Sequence, residues 1–526
     1  MVKGLLQRKF LHVVVILTMV LAIGPMSAMA EQSKDHKADA TVQQAKAAQN
    51  VPKTGFEKRD GDGWTTTEEE SQFLKEVASK SDRVTYSVVG TSNEHRPLNL
   101  VKVGFPKAPS DADIAAGHNI LIMGTPHGNE PSGHEASLML LRDLAFTDDP
   151  DLLETLKDAT ILFIPEPNPD GREANTRGNA DGIDNNRDHL KLETPEIQAV
   201  ESVINKFQPD IVVDAHERPS AKGNPDLEVL WARNFNVDKP LYEISKEMVQ
   251  DYVRPDVENA GFTTGLYGNP PGSGSGSEQI LRNMSGLRHS IGLLTEAPGQ
   301  QEPKRRVEMQ RAAMDSVLNF YHERFDEVTG ITEQSKVNKE EDGANQKPFY
   351  LSGTRDWDQT EYPPTILDPA PKGYLITDSQ AEDINRHIHL FSLKTEKVGN
   401  NGIYVSMKQP MMTIVPLLMD HGADFNEVDG IPIYDTDNPG TAGNAKSLAD
   451  FYQEQGEFKN DQAAAKVIAH LTVIHHAEQL GQSNKVVKHL KGFKVLVGQQ
   501  EQNENISDRA AHMLNNYADY LLEKWQ

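Results

Sequence analysis

The sequence predicts an α/β domain, followed by a smaller α/β segment and a bundle of helices. Three observations predict it. From about residue 64 to 328, short apolar runs alternate with amphipathic stretches, the pattern of helices covering a largely parallel or mixed sheet. Residues 348–440 repeat the alternation with shorter runs and many turn residues. From about 445 to 526, apolar residues recur at helical spacing with polar residues between them, as in small helical bundles.

Taken in order, residues 1–30 read as a secretory signal. Lys3, Arg8 and Lys9 precede the apolar run Phe10–Gly24, and Ala28-Met29-Ala30 is a small-x-small cleavage pattern. The run is short for a bilayer span of about 20 residues, so cleavage after Ala30 and a secreted protein with no membrane span are expected. Residues 31–63 are rich in Lys, Gln, Ala and Asp and read as a disordered lead-in. Within 64–328, strands are expected at Val84–Val89, Leu98–Val103, Asn119–Met123, Thr160–Ile164, Asp210–Asp214 and Ile291–Thr295. Helices are expected at Ser132–Leu144, Thr194–Phe207, Leu241–Tyr252 and Arg305–Arg324. The tract Gly272–Ser277 alternates Gly and Ser and reads as a flexible loop.

Residues 329–347, polar and without periodicity, read as a linker. Residues 348–440 hold strand-like runs at Gly373–Ile376 and Ile403–Val405 and a helical pattern at Ser379–Leu390. In 445–526, Phe451, Val467, Leu471, Ile474, Val486, Leu490, Phe493, Leu496, Leu514, Tyr517 and Leu521 mark three or four amphipathic helices.

Composition narrows the chemistry. The 526 residues include no cysteine, which excludes disulfides, thiol catalysis and thiolate metal sites. Lys and Arg number 53 against 78 Asp and Glu, a net charge of −25; so acidic a chain repels nucleic acid, and no nucleic-acid partner is expected.

Four apolar runs lead directly into polar residues: His127-Gly-Asn-Glu130, Asn168-Pro-Asp-Gly171, Asp214-Ala-His216-Glu217 and Thr295-Glu296. Ligands of open α/β sheets bind beyond the carboxyl ends of strands, so these four ends can converge on one cleft. A catalytic zinc takes three protein ligands and keeps one position open. His127, Glu130 and His216 supply two nitrogens and a carboxylate, a set that also accepts other divalent metals. A second His-x-x-Glu, His475 to Glu478, falls in an amphipathic helix and reads as a solvated face. Glu296 reads either as a buried structural acid or as a general base. Arg177, Asn186 and Arg187 share a polar loop and can read a carboxylate by paired hydrogen bonds, or simply face solvent.

Together, His127-Gly-Asn-Glu130, Asn168-Pro-Asp-Gly171, Arg177, Gly182-Ile-Asp-Asn-Asn186-Arg187, His216 and Leu294-Thr-Glu296, preceded by Gly90-Thr-Ser-Asn-Glu-His-Arg-Pro97, resemble the M14 zinc carboxypeptidases over residues 64–328. The resemblance implies a mixed eight-stranded sheet flanked by helices and one zinc per chain, held by His127, Glu130 and His216. It further implies that Glu296 activates the water at the zinc, that Arg177 stabilises the oxyanion, and that Asn186 and Arg187 grip the substrate's free C-terminal carboxylate. Tyr267 is the candidate for the family's substrate-capping tyrosine. Lys485–Lys494 and Tyr517–Trp525 resemble the FIMAH helical module, which implies association with a cell surface; a simple stabilising cap explains the same helices equally well. Beside a secreted peptidase stand two alternatives: a zinc amidase or endopeptidase acting on cell-wall peptides, and a non-catalytic binding protein on the same scaffold.

Overall fold

The apolar runs of the first segment become one eight-stranded sheet: β1 (Val84–Thr91), β2 (Pro97–Val103), β3 (His118–Met123), β4 (Ala159–Ile164), β5 (Ile211–Arg218), β6 (Leu227–Trp231), β7 (Thr264–Leu266) and β8 (Ile291–Pro298). Their order across the sheet is β1-β2-β4-β3-β5-β8-β6-β7. The computed structural model describes residues 51–219, 223–268, 272–435 and 439–526; the expected signal at 1–30 and the lead-in up to residue 50 lie outside the described residues. Among the described residues, no helix is long and apolar enough to cross a membrane.

The four central strands, β4, β3, β5 and β8, are mutually parallel. Buried on both faces, they read as continuous apolar runs rather than alternating ones. The β1–β2 hairpin adds antiparallel to β4 at one edge, and β6 adds antiparallel to β8 at the other. All four central strands therefore end at the same edge. Helices Ser132–Phe146, Pro195–Phe207 and Pro303–Glu323 bury apolar faces around the sheet. Pro195 sits in the first turn behind Thr194, whose hydroxyl caps the helix.

Three readings change. The lead-in is ordered before residue 64. Thr54 and Glu57 form a capping box for the turn Gly55–Lys58, and Phe56 is buried and stacks on Trp64 at 5.0 Å. Residues 329–347 are not a loose linker, since most of them lie in the helix Phe325–Ala344. Beyond Val328, that helix buries mostly hydroxyls: Thr332 donates to Asp210 at 2.8 Å, and Ser335 meets His289 Nδ1 at 2.9 Å. Polar residues on the buried face erase the apolar periodicity that marks a helix in sequence. The expected helix Leu241–Tyr252 runs from Lys239 to Glu247, passes through a π-helical stretch at Met248–Val253, and continues from Arg254 to Asn259.

The smaller segment forms a four-stranded antiparallel sheet in the order Thr395–Val398, Gly402–Ser406, Gly373–Thr377, Ile431–Ile433. Successive strand residues face opposite sides. Tyr374, Ile376 and Val405 join the core of the large domain, whereas Leu375, Tyr404, Ile431 and Ile433 join the core of the C-terminal helices. Those helices are Ala442–Glu454, Asp461–Gln479, Ser483–Gln502 and Asp508–Trp525. Residues 52–526 form a single compact unit.

Candidate metal centre and active site

The site assembles at the shared edge of the parallel strands. β3 ends at Met123, and the following turn carries His127 and Glu130. Gly128 holds this turn against the next motif, because a Cβ there would lie 1.9 Å from the Gly171 carbonyl carbon. Asn168 caps the short helix Pro169–Ala174 through Gly171 N at 3.0 Å and donates to Pro126 O at 3.2 Å. Asp170 accepts from Ser92 at 2.7 Å and from Arg96 at 2.6 Å. The Asn168–Gly171 motif is thus scaffolding that joins the β1–β2 hairpin to the metal-site turn.

On β5, Asp214 and His216 are two residues apart and share a face. His216 is the register partner of Glu296 on β8, which sets the two side chains beside each other. His127 Nδ1 lies 3.0 Å from Glu130 Oε1 and 3.0 Å from His216 Nδ1; His216 Nδ1 is 3.0 Å from Glu130 Oε2. The opposite ring nitrogens are fixed by acids: His127 Nε2 meets Asp184 Oδ1 at 2.9 Å, and His216 Nε2 meets Asp214 Oδ1 at 2.8 Å. A carboxylate thus borders both nitrogens of each ring, and a cation among the two Nδ1 atoms and Glu130 would select the tautomer with the proton on Nε2, toward Asp184 and Asp214. The three donor atoms are all buried and lie within 4.8 Å of one another, close enough to share one cation. The donor set therefore fits zinc.

Glu296 is buried. Burial above all pushes its carboxyl up to about 8, with His216 opposing the rise and Glu130 and Asp214 adding to it. It lines a cavity of about 280 Å³ with His127, Arg177, Asn186, Arg187 and His216. Arg177 is half-exposed at this cavity and donates to Glu130 at 3.2 Å and to Asp184 at 3.0 Å. The Arg187 guanidinium bonds the Asn186 carbonyl at 2.6 Å. Asn186, expected to grip the substrate's carboxylate, has its amide engaged within the protein. Its Nδ2 donates to Asp214 at 3.0 Å and lies beside His216, while its Oδ1 accepts from Leu281 N at 2.8 Å. The amide nitrogen thus holds Asp214, and the amide oxygen is anchored on the Leu281 backbone.

Tyr267 follows β7 and lines the same cavity, half-buried. So do Gly268, Ser273, Gly274 and Ser275. The Gly-Ser tract is thus a wall of the site: Gly276 N bonds Thr354 at 2.9 Å, and a Cβ on Gly274 would lie 2.4 Å from Leu230. His475 and Glu478 lie in the C-terminal helices, where Glu478 accepts from Ala442 N at 2.8 Å.

Sequence reasoning missed three groups. Asp184 and Asp214 are named there only as parts of motifs, though they back the two histidines from behind. Arg282 is the third. It lines the cavity and is 2% exposed, and among the described residues no carboxylate forms an ion pair with it. One nitrogen donates to Ser275 O at 2.5 Å, and its Nε has no partner. Burial lowers this guanidinium to about 10, against the pull of Asp214. Its sequence signal was an arginine inside the apolar stretch Ile280-Leu281-Arg282-Asn283-Met284.

Removing an acid behind a metal-binding histidine lowers affinity by about ten- to a hundredfold. Asp184→Ala is expected to weaken metal binding by that amount in competition with a chromogenic chelator; unchanged affinity would show that His127 does not depend on Asp184.

Residues 70–216 match the zinc carboxypeptidase family, peptidase M14, and residues 442–523 match the FIMAH domain. The first match includes His127, Glu130, Arg177, Asn186, Arg187 and His216 and stops before Glu296. Carboxypeptidase 2 of Trichophyton rubrum is 26% identical over 385 residues, covering 64% of this chain and 71% of that protein. Carboxypeptidase 2 of Trichophyton equinum is 25% identical over the same length and shares. Among solved structures, a metallo-carboxypeptidase from Pseudomonas aeruginosa aligns with a TM-score of 0.41 at 22% identity, covering 50% of this chain and 69% of that one.

Proposed function

We propose that this metallopeptidase, which carries an M14 zinc carboxypeptidase domain and a C-terminal FIMAH domain, is secreted and removes the last residue of peptides that end in a free carboxylate. The observation that carries the reading is the buried His127–Glu130–His216 donor set facing the cavity that Glu296 lines. These three residues would hold a zinc ion, which would supply Lewis acidity to the scissile carbonyl and to a water.

The chain's own groups do the rest. Glu296, ionised, takes a proton from the attacking water and delivers it to the leaving amine. Arg177 donates to the carbonyl oxygen as negative charge develops there. Arg187 takes the terminal carboxylate as a charge-assisted pair, and Asn186 positions Asp214 and hence His216. A cavity of about 280 Å³ is small among ligand pockets and suits a terminal residue. Within it, Arg282 is a buried cation with no ion-paired carboxylate, and a substrate side chain of opposite charge would compensate it. The favoured terminal residues are therefore Asp and Glu.

The test pairs metal content with cleavage of a mixed peptide library carrying free or amidated C-termini. One zinc per dialysed chain and cleavage of the free acids alone is the expected result. Cleavage of both sets would favour an endopeptidase or wall amidase; cleavage of neither would favour a binding protein.

A further inference from the structure

We propose a second metal site, distinct from the catalytic one, in which His421, Asp429 and His512 bind a divalent transition-metal ion where the four-stranded segment meets the last helix. His421 and Asp429 lie on the loop between the helix Val415–Met419 and the strand Ile431–Ile433; His512 lies on the helix Asp508–Trp525. His421 Nδ1 is 3.1 Å from Asp429 Oδ1, and His512 Nε2 is 2.9 Å from Asp429 Oδ2. The two imidazoles stack with ring centroids 4.4 Å apart. One donor atom from each of the three residues falls within a 4.8 Å span.

The donor chemistry selects the ion. Two imidazole nitrogens and one carboxylate suit zinc, nickel or copper. Calcium takes six to eight oxygens and finds one carboxylate here. The side chains are 43%, 32% and 39% exposed, so solvent can complete the coordination shell and the ion can enter directly. Exposure also makes the site weaker than the buried centre, so it fills only when metal is added.

The donors are held in place before any ion arrives. Asn426 donates to Asp429 Oδ1 at 2.9 Å. One turn before His512, Arg509 pairs with Asp420 at 3.8 Å. Leu514, Tyr517 and Leu521 of the same helix share a core with Ile431 and Ile433. An ion therefore meets preset ligands from two elements, and its binding energy adds to the hold between them.

The experiment uses the full chain with its catalytic zinc loaded and excess metal dialysed away. Zn²⁺ is then titrated in by calorimetry, with Ca²⁺ as the control cation. One further equivalent of Zn²⁺, no response to Ca²⁺, and a rise in Tm on adding Zn²⁺ are expected. His421→Ala and His512→Ala, both at partly exposed positions, are each expected to lose that equivalent and the Tm rise while keeping catalytic zinc and peptidase turnover. Asp429→Asn, which preserves shape, is expected to lose the equivalent as well. No further equivalent in the parent chain, or a further equivalent retained in all three variants, would overturn the site.

Discussion

Replacing Glu296 with Gln is expected to leave the catalytic metal in place and to lower kcat by about a hundred- to ten-thousandfold, the range general-base catalysis contributes. Glutamine matches the carboxylate in volume, so the cavity keeps its shape, but an amide cannot accept the proton of the attacking water. The pH profile supplies a second readout. Burial raises the Glu296 carboxyl to about 8, and a divalent cation beside it draws that value down by favouring the charged form. The active form is the ionised one. Activity should therefore fall as pH drops through the Glu296 pKa, along an acid limb lying below about 8, and the residual activity of Glu296→Gln should lack that limb. Elemental analysis, turnover and a pH series on the two proteins check all three statements. Full turnover in the variant would remove Glu296 from the base role.

Arg282→Met is expected to change which peptides are cut more than how fast the best one is cut. A buried charge left without a partner is costly, and a hydrogen bond to a charged group contributes about 1.5–3 kcal/mol, roughly a tenfold to hundredfold change in rate ratio. The parent chain should prefer peptides ending in Asp or Glu over those ending in Leu or Phe by about that factor. The methionine variant, which keeps an unbranched stem of similar reach, should lose or reverse the preference. A ratio of kcat/KM values is the right quantity, since partial misfolding lowers numerator and denominator together. An unchanged ratio would mean that Arg282 serves only to hold the Ser275 carbonyl.

The sequence was most informative where burial is apolar. All six expected strands of the large domain are present, and the central ones, β3, β4, β5 and β8, stood out because a strand buried on both faces leaves a Val, Ile and Leu run; β6, equally buried but broken by Glu228, was not expected. β7, only three residues long and half-buried along its length, left no such run. The helix Phe325–Ala344 was hidden for a different reason: Thr332 and Ser335 bury hydroxyls against Asp210 and His289, and pattern reading counts them as solvent-facing. At the site, the residues that follow strands announced themselves by position. The residues behind them did not. Asp184 sits in a loop of similar polar neighbours, and its task is visible only once the His127 ring is seen to rest on it. The Gly-Ser tract misled in the opposite direction, because low complexity resembles slack where close backbone approach demanded residues without bulk.

Apart from its exposed edge strand Thr395–Val398, the four-stranded sheet has no wet face to fall back on. Its strands present Tyr374, Ile376 and Val405 to one neighbour and Leu375, Tyr404 and Ile431 to the other, like a partition plastered on both sides. Three segments that read as beads on a string therefore share their walls. A break at either boundary bares a greasy sheet surface, the kind that recruits strangers and precipitates. What looks like an exchangeable tail is in mechanical terms part of the enzyme's masonry, and recombination that swaps it must carry the partition along.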